Sequence, residues 1–176
     1  MDSAIRNGQP PVALPNLNGY NCFCCGSKNP IGFKMRFFAD KDRVFSDVVL
    51  TENHAGWEHL THGGLLATLL DETMGWALLT FIRKFAVTRK MEVRYLRPVP
   101  VGHHVRVEGR VTETRESGVS LSGTLFGPDG RKSVIAYSDM VFVSQKRLDE
   151  APQPFLQDTM ELFSRMEETL RGAGLL

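Results

Sequence analysis

His62-Gly63-Gly64-Leu65-Leu66-Ala67-Thr68-Leu69-Leu70-Asp71-Glu72-Thr73-Met74 opens the run that decides the fold of this chain. From Leu65 to Thr80 there is no proline, and Leu65, Leu66, Leu69, Leu70, Met74, Leu78 and Leu79 predict one long buried helix with two glycines at its mouth. The first N–H groups of such a helix have no intrahelical acceptor. Backed by the positive end of the helix dipole, they suit an anion or a developing oxyanion, and glycine lets a substrate approach the main chain with no Cβ in the way. Asp71 stands inside this helix among apolar residues, where an acid is disfavoured unless it is solvated, paired or used. Glu72 is its rival, but adjacent helix positions point about 100° apart. Asp71 lies seven residues beyond Gly64, close to two full turns, and so shares the face of the glycine end. The plain structural alternative is an acid satisfied by a neighbouring hydroxyl such as Thr68.

Outward from the helix the pattern turns to strands. Phe33 to Phe38 and Arg43 to Val49 read as a hairpin turned at residues 39–42, followed by a loop from Thr51 to Thr61. Beyond the helix, Val87 to Leu96 alternates Val87, Met91, Val93 and Tyr95 against Thr88, Lys90, Glu92 and Arg94, the pattern of a half-buried strand, and it stops before Pro98. His104 to Arg115, Val119 to Phe126 and Lys132 to Val143 read as three more strands, the last two joined by Gly127-Pro128-Asp129-Gly130. Strands, one long helix and a meander of strands imply α+β: an antiparallel sheet with the helix on one face. Residues 1–19 read as an extension and 20–145 as the domain. The remaining 146–176 read as a linker, Ala151-Pro152-Gln153-Pro154, and a helix from Gln157 to Arg171. Its apolar positions Leu156, Met160, Phe163 and Leu170 suit docking on the sheet rim or on a neighbouring subunit.

Composition narrows the function classes. A chain of 176 residues with 42% hydrophobic content is long enough to bury a substantial core. Its net charge of +1, without a block of like charges, gives no case for nucleic acid. No apolar run reads as a membrane span, since Asp71, Glu72 and Gly75 interrupt the longest one. The opening stretch, with Asp2, Arg6 and three prolines, lacks the apolar core of a signal peptide. The three cysteines, Cys22, Cys24 and Cys25, make a poor disulfide framework and fit a reducing cytoplasm. Cys22 and Cys25 have the spacing of a zinc half-site, but only His54, His59 or His62 could complete it. The cluster therefore reads as a buried turn, and no metal or separate cofactor is expected.

The stretch from His54 to Met74 resembles the hotdog-fold acyl-CoA thioesterases of the phenylacetate-pathway type. So do Val87-Thr88-Arg89-Lys90-Met91-Glu92-Val93-Arg94-Tyr95-Leu96-Arg97-Pro98 and the opening Cys22-Phe23-Cys24-Cys25-Gly26-Ser27-Lys28-Asn29-Pro30-Ile31-Gly32. The resemblance implies a carboxylate at Asp71 that acts as general base on water or attacks the thioester carbonyl itself. It implies Gly63 N–H as oxyanion donor with Gly64 in support, His62 orienting the loop or the thioester, and Thr88 holding the water or the carboxylate. Gly64 and Asp71 of one helix are about 10 Å apart along its axis, too far to grip one carbonyl. The family resolves this by building each site from two subunits of a two-fold dimer, often paired again as a tetramer. Coenzyme A then enters as part of the substrate, its phosphates meeting Arg97 and Arg94, with Arg131 and Lys132 nearby. Trp57, Trp76 and Phe81 are the expected acyl lining. The chain departs from the pattern where relatives carry an Asn or Gln as second donor: here Ala55 and Gly56 stand, leaving Asn53 or His54 as substitutes. The rival readings are a hotdog dehydratase acting on 3-hydroxyacyl thioesters, for which the helix lacks a histidine, and a catalytically silent acyl-CoA-binding domain.

Overall fold

Alternating apolar and polar residues build most of this molecule. In the computed structural model, which describes residues 10–16 and 19–176 apart from the side chain of Phe155, the alternation becomes one antiparallel sheet. Its strands are β1 (Val12–Ala13), β2 (Phe38–Ala39), β3 (Val44–Leu50), β6 (Ala86–Tyr95), β7 (His103–Arg115), β8 (Gly118–Phe126) and β9 (Lys132–Phe142). Their order is β1-β2-β3-β7-β8-β9-β6. A separate ribbon pairs β4 (Ala55–Trp57) with β5 (Leu60–Thr61) just ahead of the long helix α1 (Gly63–Phe81). One sheet face, carrying Val105, Val107, Val119, Leu121, Leu125, Val134 and Ala136, is wholly buried against α1. From the helix side Leu69, Leu70 and Met74 are fully buried, each stabilising the fold by about 1.5–3 kcal/mol.

Two glycines set how closely helix and sheet approach. Gly109 on β7 pairs with Gly123 on β8. A Cβ at Gly109 would lie 2.7 Å from the Thr73 carbonyl oxygen, and one at Gly123 would lie 2.9 Å from Leu70 Cδ2. The pair is a notch into which the middle of α1 settles.

Several expectations shift. The hairpin expected from Phe33 to Phe38 shrinks to Phe38–Ala39. Residues before it make single bonds to the cysteine turn, Phe33 N–H to Phe23 O at 2.9 Å and Met35 N–H to Cys24 O at 2.9 Å, so their donors go to a loop and not to a ladder. Val12–Ala13, in the expected extension, joins the sheet through β2. A short helix, α2 (Gln145–Asp149), precedes α3 (Gln153–Gly172), which starts ahead of the expected Gln157. Pro154 is tolerated because first-turn N–H groups need no intrahelical acceptor. The buried stripe of α3 is Thr159, Leu162, Met166 and Leu170, while Met160, expected to dock, is exposed. The stripe joins the main core of its own chain. No helix among the described residues is long and apolar enough to cross a membrane.

Candidate active site

The ribbon β4–β5 delivers the chain into α1 with His62 as the N-cap. Thr61 N–H bonds Val99 O at 2.8 Å and His62 N–H bonds His54 O at 2.9 Å, which fixes the entry. The His62 ring folds back over the helix start, and its Nδ1 accepts the Gly64 N–H at 3.0 Å. That acceptor role places the proton of the neutral ring on Nε2. It also alters one expectation: the Gly64 N–H is consumed by the cap and is no free anion donor. The Gly63 N–H, by contrast, meets no acceptor among the described residues. Its carbonyl accepts the Tyr95 hydroxyl at 2.8 Å, and the Tyr95 ring lies where a Cβ on Gly63 would come within 3.3 Å. Tyr95 therefore holds the first turn from the end of β6, a role sequence reasoning missed.

Two turns along, Asp71 is half-buried and its Oδ1 accepts the Thr88 hydroxyl at 2.8 Å. Thr68, the hydroxyl expected as the plain alternative, donates to Gly64 O at 2.9 Å instead. Thr88 reaches Asp71 because β6 carries a bulge. Pairing with β9 runs Thr88 to Met140 and then Lys90 to Asp139, which leaves Arg89 as the extra residue. A bulge flips the alternation. Thr88 thus faces α1 together with Met91, Val93 and Tyr95, and not with Lys90, Glu92 and Arg94 as an unbroken strand would have it. Val87 takes the opposite phase and is 55% exposed. The bulge lets one strand hold both ends of the site, Tyr95 on Gly63 and Thr88 on Asp71, about 12 Å apart along the helix.

Other expected residues are placed elsewhere. His54 does not turn toward Gly63: its Nδ1 accepts the Thr51 N–H at 2.8 Å and its ring stacks on Phe33 at 4.6 Å, while burial holds its pKa below the usual histidine value. Gly56 cannot carry a donor side chain, since a Cβ there would sit 2.7 Å from His62 Cα. Arg94 is exposed on the sheet face away from α1, and Arg97 donates to Lys132 O at 2.6 Å. Arg131 stands 3.8 Å from Asp129. The expected acyl lining is not gathered. Trp76 is buried and stacked on Phe37, Trp57 is 82% exposed, and Phe81 closes the far end of α1.

Residues 59–134, which contain α1, Asp71, Thr88 and Tyr95, match the family model of the thioesterase superfamily. Over this stretch the chain is similar to the thioesterase superfamily. The sheet wrapped about one long helix is its hotdog fold. A crystallised thioesterase-superfamily protein is 24% identical and superposes with a TM-score of 0.65 over 69% of this chain, which spans 60% of the length of that relative. A hypothetical thioesterase of Streptococcus pneumoniae, solved with coenzyme A, is 19% identical with a TM-score of 0.55, over 60% of this chain and 81% of its own. An uncharacterized protein of Schizosaccharomyces pombe is 25% identical over 126 residues, 69% of this chain and 72% of its own length.

On its other side, α1 meets the cysteine turn. Glu72 is directed there: its Oε1 accepts the Trp76 indole N–H at 3.1 Å, and the Cys22 Sγ lies 3.9 and 4.0 Å from its two oxygens. Burial pushes Glu72 above the ordinary glutamate value. Cys22 is held well below the usual thiol value by the thiols of Cys24 and Cys25 and by their backbone N–H groups, whereas Cys24 and Cys25 are pushed up by the same thiol contacts and by burial. None of the three histidines weighed as partners of the cysteines joins this cluster, which is Cys22, Cys25 and Glu72 among the described residues. Glu72 follows Cys25 by 47 residues on another element, a separation that no cysteine–histidine spacing rule flags.

Proposed function

We propose that this protein hydrolyses the thioester of an acyl- or aryl-CoA, in the manner of the phenylacetate-pathway type of hotdog thioesterase. What carries the reading is one juxtaposition: an ionisable carboxylate held by a hydroxyl, and an unsatisfied N–H at the start of the same helix, both tied to the edge strand β6. Thr88 occupies Oδ1 of Asp71, and Oδ2 has no partner among the described residues. Oδ2 then takes a proton from water as the oxygen adds to the carbonyl carbon, or adds there itself to form a mixed anhydride that water later opens. The Gly63 N–H receives the oxyanion, and collapse expels the CoA thiolate, which is reprotonated. The Nε2–H of His62 stands beside the same helix mouth to orient the thioester. Supporting the substrate class, the S. pneumoniae relative was solved with coenzyme A and also as Asp-to-Ala and Thr-to-Ala variants. Arg97 and Arg94 are the side chains proposed for the phosphates. Free cysteines fit a cytoplasmic location.

The site is shared between subunits. The outer edge of β6 pairs with no strand among the described residues, and Val87, Tyr95 and Leu96 are each about half exposed on that strand or just past it. Antiparallel pairing of two β6 edges about a two-fold axis brings Tyr95 of one chain opposite Thr88 of the other. The Gly63 mouth of one subunit then faces Asp71 of its partner, which removes the 12 Å gap of about two turns.

The test is free-thiol release from a panel of acyl-CoAs, followed by complementation. Gly63→Pro removes the donor N–H at a position where proline suits a helix start, and Asp71→Asn removes the carboxylate charge. Each alone is inactive. Mixed in equal amounts and allowed to exchange, they recover about a quarter of the wild-type rate, because half the dimers then hold one intact site. A dead mixture with subunit exchange proven by mass overturns the shared site, and wild-type protein that releases no thiol from any acyl-CoA overturns the activity.

A further inference from the structure

The segment from Tyr20 to Gly32 is a tightly built turn whose purpose the thioesterase reading leaves unexplained. Its backbone closes on itself: the Gly26 N–H bonds Cys22 O at 3.0 Å and the Lys28 N–H bonds Tyr20 O at 3.1 Å. A Cβ at Gly26 would lie 2.4 Å from Cys22 N and 2.5 Å from Tyr20 O, so only glycine fits after Cys25. The Lys34 ammonium fastens the turn from outside, donating to Ser27 O at 2.8 Å and Gly26 O at 3.3 Å, and to Asn29 O. The product of this construction is a pair of sulfurs aimed at α1, with Cys22 Sγ accepting the Cys24 N–H at 3.3 Å. A backbone N–H directed at the Cys22 sulfur favours its thiolate, the form that ligates metal. Facing the pair is a helix carboxylate already oriented by the Trp76 indole, as an outer-shell donor orients a ligand.

We propose that Cys22, Cys25 and Glu72 bind one divalent transition-metal ion of the zinc class, which clips the Tyr20–Gly32 turn to α1. The three ligand atoms lie within 4.8 Å of one another. Tetrahedral zinc, with Zn–S of about 2.3 Å and Zn–O of about 2.0 Å, needs sulfur and oxygen about 3.5 Å apart. The observed 3.9 Å between Cys22 Sγ and Glu72 Oε1 closes to that with a shift of a few tenths of an ångström. Two thiolates and a carboxylate select zinc, cobalt or iron(II) over magnesium or calcium, which prefer all-oxygen sites. Water completes the fourth position. The clip is structural: it anchors the turn at the residue after Asp71, on a different side of the helix. Cys24 takes no part, since its Sγ is directed at Thr68 O, 4.0 Å away.

Cobalt(II) titration of the reduced, chelator-dialysed full chain tests this with a readout independent of thioester hydrolysis. The expected result is a thiolate-to-cobalt charge-transfer band with tetrahedral visible bands, saturating at one ion per chain and bleached by zinc(II). Cys24→Ser keeps the band. Cys22→Ser and Cys25→Ser lose it, and Glu72→Gln, which keeps the side-chain shape, weakens binding by at least about tenfold and shifts the visible bands. Circular dichroism checks the fold of each variant; should a cysteine variant unfold, Glu72→Gln alone decides. The proposal fails if the wild-type chain with all thiols reduced gives no band, if the band survives in folded Cys22→Ser, or if Glu72→Gln binds cobalt as tightly as wild type. Because no acyl-CoA enters the experiment, failure of the thioesterase reading leaves its outcome untouched.

Discussion

Asp71 and Glu72 are successive residues on one helix turn, yet they inhabit different chemistry. Asp71 looks toward the free edge of the sheet, half-open, with a single hydroxyl on Oδ1. Glu72 looks into the cysteine turn, where burial works against its ionisation and its carboxylate is met by the Trp76 indole and by cysteine thiols. The roughly 100° between neighbouring helix positions is enough to separate a half-open carboxylate from one enclosed by its own chain. Accessibility of an unoccupied oxygen, not acidity in the sequence, distinguishes the two.

The comparison breaks most directly through paired amide substitutions. Asp71→Asn is expected to lower thioester turnover by about a thousandfold, within the range general-base loss produces, with acyl-CoA affinity and thermal midpoint near those of wild type. Glu72→Gln is expected to cost far less in turnover and to show chiefly as a change in thermal midpoint. Rates from thiol release and midpoints from calorimetry separate them. Equal kinetic losses would mean that the two sides of α1 act as one site.

A smaller effect sharpens the same contrast. Thr88→Val deletes the one hydroxyl on Asp71 at nearly constant shape and is expected to lower kcat about tenfold, the worth of one hydrogen bond to a charged group. Thr88→Ser should restore most of it, and KM should change little, as expected for a positioning residue. If Thr88→Ser is as impaired as Thr88→Val, the methyl packing matters and the hydrogen bond does not.

This pair also marks where sequence reasoning stops. The long helix, its glycine mouth and the three C-terminal strands are local patterns, and periodicity reads them to within a residue or two. That Asp71 and Glu72 diverge follows from helix geometry alone. The phase of Thr88 does not, because the extra residue at Arg89 appears only when β6 is laid against β9. The same holds for the Gly109–Gly123 notch, legible only once two strands and a helix meet. The stripe of α3 is legible only in part, because Leu156, Met160, Phe163 and Leu170 fit a helical period as well as the buried Thr159, Leu162, Met166 and Leu170 do, and Thr159 hides among polar types. Glu72 escaped as a companion of the cysteines because the contact spans two distant elements.

The smallest expected effect probes what covers the Asp71 side. Gly75 lies one helical turn beyond Asp71 on nearly the same face, and a Cβ built there meets nothing within 4 Å. Glycine inside a helix costs about 1 kcal/mol relative to alanine through backbone entropy. Gly75→Ala should therefore raise the unfolding free energy by about 1 kcal/mol in urea titrations. The shared-site arrangement pairs subunits through β6, so the gain should be the same at low and high protein concentration. A gain at low concentration that turns into a loss as dimers form would place the partner subunit directly on Gly75, and the two-fold axis would then pass over the helix, not along the strand edge.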